Sequence, residues 1–147
     1  AWKLTAKGFD AFETGLMDRY ARAAKAMNRT AKSGTADAFH DWRKAAKVHW
    51  FHASLLAEIA PDLMEPHVAL AEDVAERLGE QHDLVNLEAL LPGLALPKAL
   101  RDDFAADVAN QRRALERHVS VQGRRLHADS PKALARRWRR WWTLRAM

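Results

Sequence analysis

The chain contains no cysteine. That excludes a disulfide scaffold, a thiolate metal site and cysteine nucleophile chemistry. Glycine and proline are scarce, at 6 and 5 of 147 residues, a combined share well below the roughly 12% of an average protein. No apolar run approaches the roughly 18 residues of a membrane span, so no membrane partner is expected. The opening AWKLTAKGFD has no long apolar stretch, which reads against a signal peptide. An alanine in first position predicts a processed or excised piece. What is abundant is alanine, 29 residues. Alanine gives up no side-chain entropy in a helix, so high Ala with little Gly and Pro favours helix throughout. The length suits one domain over residues 1–147 with a real core.

Charge is unevenly spread. Residues 1–52 hold 10 Lys/Arg against 5 Asp/Glu, residues 53–107 hold 3 against 12, and residues 108–147 hold 11 against 2. Two basic segments thus bracket an acidic one. Either the segments neutralise each other across packed helices, or part of the basic charge converges on a polyanion site. The last 24 residues carry 8 Lys/Arg and one Asp, more than internal pairing readily absorbs.

Apolar residues recur at three- and four-residue steps along most of the chain. They predict helices over about 6–31, 36–60, 64–91, 97–128 and 131–145. Gly34 and Thr35 form a stop and an N-cap, Pro66 falls in a first turn, and Ser130-Pro131 starts the last helix. Gly79 marks a close helix contact or a local break. No strand pattern or short repeat is present. Long helices with short connections predict an all-α, antiparallel up-down bundle of four long helices plus a short C-terminal one.

The stretch FHDWRKAAKVHWFH, Phe39 to His52, carries the chemistry. His40, Arg43, Lys44 and Lys47 stand at i, i+3, i+4 and i+7 and share one arc of about 100°. Phe39, Trp42, Ala46, Trp50 and Ala53 fill the adjoining arc. Asp41 is expected to point away from the strip. Like charges at this spacing repel and destabilise a helix slightly, so the strip asks for an external anion. Arg presents a planar fork to phosphate oxygens, Lys a mobile point charge, and a protonated His a further donor. The competing reading is a solvated basic face paired with the acidic third helix.

These residues resemble the CHAD (conserved histidine α-helical domain) family. Its first motif, a His followed by Arg-Lys at +3 and +4, Lys at +7 and a pair at +10 and +11, reads here as His40, Arg43, Lys44, Lys47 and Trp50-Phe51. Its second, Leu-Gly-x-x-His-Asp, reads as Leu78-Gly79-Glu80-Gln81-His82-Asp83. Tyr20, Arg22 and Lys25 ahead of the first motif fit, as does Ser130-Pro131-Lys132 with Arg136-Arg137 and the Trp-rich end. The chain departs from the pattern at Trp50-Phe51, where many members carry Arg-Tyr. The resemblance implies an all-helical domain whose basic surface binds inorganic polyphosphate. It further implies no catalysis and no cofactor of its own, and an association with polyphosphate granules in the cytoplasm and with triphosphatase-type domains. Members usually have two related halves around a basic cavity. This chain has room for one and looks like the second, so another half or a second copy is an expected partner.

On this reading the strip supplies one wall, Tyr20, Arg22, Lys25 and Arg29 a second, and Lys132, Arg136, Arg137 and Arg140 a third. His82 and Asp83 are read as a hydrogen-bonded supporting pair that positions Arg43. His49 and His52 stand three apart, but with no carboxylate on their face they read as packing, and no metal site is expected. Trp138, Trp141 and Trp142 read as the anchor of the last helix. The rival classes are a nucleic-acid binder, disfavoured by the lack of a helix-turn-helix or aromatic platform, and an accessory domain of a triphosphatase or polyphosphate-metabolising enzyme, disfavoured because the carboxylates are spread out.

Overall fold

The computed structural model describes residues 7–147; the expected helix start at Ala6 lies outside them. Five helices follow in order: α1 Asp10–Ser33, α2 Ala36–Leu55, α3 Pro61–Leu90, α4 Lys98–Leu126 and α5 Pro131–Leu144. Short 3-10 turns, Ala57–Ile59 and Leu91–Gly93, lie between α2 and α3 and between α3 and α4. No strand occurs among the described residues, and the all-α class holds. None of these helices is long and apolar enough to cross a membrane.

The punctuation acts through local chemistry. Gly34 adopts the left-handed region at φ 62°, and its N–H donates to the Thr30 carbonyl, closing α1. The Thr35 hydroxyl accepts from the Ala38 N–H at 3.2 Å and opens α2. Ser130 does the same for α5, accepting from Ala133 N–H at 3.1 Å. α2 stops at Leu55, five residues before the expected end. The residue ahead of a proline is pushed out of the α region, and Ala60, before Pro61, sits at φ −162°, ψ 77°. Pro61 therefore becomes the first residue of α3. Pro66, expected in a first turn, lies inside the helix and forfeits one backbone hydrogen bond there.

Helices adjacent in sequence pack as neighbours from α1 to α4, and α5 returns onto α1. One core gathers Met27, Phe39, Trp42, Ala46, Val74, Leu78, Val119 and Leu126. A second gathers Phe9, Leu16, Tyr20, Ala53, Ile59, Met64, Leu134 and Trp138. Each large side chain fully buried there contributes about 1.5–3 kcal/mol. α4 meets the rest most tightly at Gly123, where an added Cβ would lie 2.7 Å from Trp42 Cζ2 and 2.8 Å from Met27 Sδ. At the other end Trp138 is fully buried, with Trp141 and Trp142 packed beside it. Arg139 clamps α5 to the start of α1, donating to Asp10 at 2.6 Å and to Glu13 at 2.5 Å. The tryptophans thus anchor the last helix.

Candidate functional site: a cationic face on α2

Packing α2 on α3 brings the two motifs together. Gly79 causes no break; it lies under Arg43, whose Nε stands 3.6 Å from where a Cβ would be. One turn away the rings of His40 and His82 lie 5.0 Å apart, tilted by 32°. Gly79 leaves room for the guanidinium, and His82 props the ring at the head of the strip. No hydrogen bond joins His82 to Asp83 among the described residues. Asp83 instead borders a cleft between α3 and α4 with Arg77 and His118.

The balance of charge around the strip decides what it can hold. Neither Arg43 nor Lys47 has a carboxylate within ion-pair distance among the described residues. The buried Nε of Arg43 has no acceptor, and a buried donor left unpaired costs about 1–3 kcal/mol. Lys44 differs: its Nζ lies 2.9 Å from Asp41 Oδ1, and Arg29 donates to the same carboxylate. Asp41, expected to point away, turns toward α1. Hydrogen bonds from Lys44 first and from Arg29 second hold its carboxyl below the ordinary range. Two acids of α3 answer α4 instead. Glu88 pairs with Arg112 at 3.0 Å, and Asp73 with His118 at 2.6 Å. No carboxylate of α3 reaches the strip among the described residues.

The other expected walls fall into place only partly. Arg29, through Asp41, ties the outer edge of α1 to α2, and Arg22 and Lys25 stand on that edge at helical spacing. Arg22 Nε donates to Asp18 at 3.0 Å; Lys25 has no carboxylate partner among the described residues. Tyr20 is not on this wall. It is fully buried, and its hydroxyl donates to the carbonyls of Leu126 and Asp129, each at 3.0 Å. Its spacing fits the core stripe of α1, and burial pushes its pKa up. On α5, Lys132, Arg136 and Arg140 are exposed, whereas Arg137 pairs with Asp129 at 2.7 Å. The backbones of α5 and α2 make no neighbour contact, so the α5 cations form a separate patch.

A feature that sequence reasoning missed lies beneath α5. His49 is fully buried, and its Nε2 is 2.8 Å from His67 Nε2. Trp138 meets the His67 ring edge-on at 5.1 Å, and His127 lies 4.5 Å from the Tyr20 ring. Nδ1 of His49 is buried without a partner. An unpaired lone pair there is less costly than an unpaired N–H, which assigns the Nε2 proton of the pair to His49, donating to His67. Burial first, then the neighbouring histidines, push His49 down to about 2. Burial likewise holds His67 and His127 down to about 4. All three are neutral at pH 7. His67 and His127 gave no signal in the chain, because neither belongs to a periodic pattern.

Fold and site together define an all-helical domain that presents uncompensated cations along one helix face. The CHAD domain model matches residues 3–92, more than half of the chain, a span that includes both the His40–Phe51 and the Leu78–Asp83 stretches. The chain belongs to the CHAD domain family. No curated protein and no solved structure matches it.

Proposed function

We propose that this chain is a non-catalytic binder of inorganic polyphosphate. Arg43 and Lys47 form the centre of its site, His40 stands at one end, and Arg22 and Lys25 flank it across Asp41. The carrying observation is that Arg43 and Lys47 have no carboxylate within ion-pair distance among the described residues, while Asp41 is taken up by Lys44 and Arg29, and Glu88 and Asp73 by α4. Polyphosphate is a repeated negative charge with no bases to read, so spaced cations suffice. The strip rises about 10 Å along the helix axis, enough for a few consecutive phosphates. The α2–α3 contact is the supporting device: it seats Arg43 on Gly79 and His40 on His82. Lys132, Arg136, Arg137 and Arg140 form a second patch that extends the surface for a long polymer.

The rest of the reading follows from this site. The scaffold is an antiparallel up-down bundle, in which short connections return α2, α3 and α4 each beside its predecessor, with α5 folded back onto α1. A second CHAD half or a second copy enlarges the basic surface, and the working place is the cytoplasm beside polyphosphate granules. Membership of the family supports the polyphosphate reading over nucleic acid.

The test is retention of the purified chain on immobilised polyphosphate at low salt. Retention should fall steeply with salt as counterions are released. The Arg43→Ala/Lys47→Ala double variant should lose it, and Asp41→Asn, which frees Lys44 and Arg29, should strengthen it. Wild-type retention by the double variant, or equal displacement by single-stranded DNA at the same phosphate concentration, would overturn the proposal.

A further inference from the structure

A second site lies on the opposite side of α2, between α1 and α4. A cleft of about 720 Å³ opens there, lined by Met27 and Ala31 of α1, Phe39 and Trp42 of α2, and Ser120 and Val121 of α4 among others. Its size falls within the roughly 300–1,000 Å³ of small-molecule sites. The floor is the hydrophobic core itself, since Met27, Phe39 and Trp42 all belong to it. The rim is cationic. Arg113, Arg117 and Arg124 border the cleft and stand with Ser120 at i, i+4, i+7 and i+11, one line about 16 Å long. Among the described residues none of the three has a carboxylate partner, and Arg113 bonds only to the side-chain carbonyl of Asn110, at 2.6 Å. Glu116, the one acid at the cleft, is engaged by Arg112 at 2.8 Å and by Gln81 at 3.1 Å.

An apolar floor beneath unpaired guanidinium groups is a poor match for a wholly hydrophilic polymer, because the floor gains nothing from phosphate. It is also unlike a solvated basic face, which has no reason to open onto the core. The two features fit one ligand chemistry together. We propose that the α1–α4 cleft binds an amphiphilic organic anion, its apolar body against Met27, Phe39 and Trp42 and its acid group at Arg117 and Arg124. Burial of the body supplies most of the affinity, and the guanidinium forks fix the head. The site is independent of the polyphosphate strip, and either can exist without the other.

The probe is 8-anilinonaphthalene-1-sulfonate, an aromatic body with a sulfonate head, titrated by fluorescence against the whole chain at neutral pH. One-to-one binding is expected. Arg117→Ala/Arg124→Ala should weaken it about tenfold or more, the loss of a charged hydrogen bond. Lys98→Ala/Arg125→Ala, which removes the same charge from α4 outside the cleft, should leave it unchanged. Dodecanoate should displace the probe, and tripolyphosphate at equal ionic strength should not. Circular dichroism checks that each variant keeps its helices. Unchanged affinity in Arg117→Ala/Arg124→Ala, equal loss in both double variants, or displacement by tripolyphosphate as readily as by dodecanoate would each overturn the proposal. Displacement by an acidic amphipathic peptide but not by dodecanoate would also overturn it, and would make the cleft a docking groove for protein.

Discussion

Mild acid should loosen this protein through its buried histidines. In the folded chain His67 and His127 are held down to about 4 and His49 to about 2, in each case first by burial. Unfolded, each returns to about 6.5. The folded state therefore binds fewer protons than the unfolded state below pH 6.5. Stability is complete above that value and falls as the pH drops toward 4. At pH 5 each of the three has lost about 2 kcal/mol, since 1.36 kcal/mol accompanies each pH unit below the unfolded value. Together they remove about 6 kcal/mol, a large part of the 5–15 kcal/mol that holds an ordinary domain. The charges facing the cluster do not reverse the sign: Arg137 lowers the His67 pKa further, and Asp129 opposes it more weakly. Urea unfolding followed by circular dichroism at pH 7.5, 6 and 5 measures the effect. The slope between pH 6 and 5 should approach about 4 kcal/mol per unit, three protons' worth. His67→Gln should flatten it by about a third. A midpoint that stayed constant from pH 7.5 to 5 would refute the reasoning, for it would mean that the rings reach solvent or protonate without leaving their places.

Two substitutions at glycine test how the helices meet. Gly123→Ala gains helix propensity of about 1 kcal/mol, but the new methyl lies 2.7 Å from Trp42 Cζ2, a fully packed ring. We expect a net loss of about 1–2 kcal/mol in thermal unfolding, the overpacking cost exceeding the gain; a higher melting temperature would show that α4 can back away freely. At Gly79 an alanine meets Arg43 Nε at an ordinary 3.6 Å and should be tolerated. Gly79→Leu should push the guanidinium off α3 and weaken polyphosphate retention while leaving the helix content intact. Equal retention by the leucine variant would separate Arg43 from the site.

Helix class and most caps were legible because they depend on neighbours in the chain. Thr35, Gly34 and Ser130 act within four residues of themselves, and the three-and-four spacing of apolar residues in α1 and α2 follows directly from helix geometry. The end of α2 was misread because periodicity continues past Leu55, while the effect of Pro61 reaches back through Ala60. The two motifs were legible as patterns, but not the way they meet. That Arg43 rests on Gly79, and that Asp73 and Glu88 turn to α4, depends on how α3 is rotated about its axis. No local signal sets that rotation; the packing of Leu78, Val74 and Ala71 into the first core does.

The histidines show the same limit most sharply. His40 and His49 both lie on α2, nine residues apart. One full turn of helix takes 3.6 residues, so nine residues bring His49 round to the far side of the axis from His40. His40 stays partly exposed at the head of a cationic strip. His49 enters the core beside His67 and Trp138, where a proton on Nδ1 finds no acceptor. Protonating His49 removes the packing on which α5 and its cations rest. Polyphosphate retention should accordingly hold from pH 8 to about 6.5 and collapse with the helix signal below about 5. Retention that persisted to pH 4.5 would show that α5 docking does not depend on a neutral cluster.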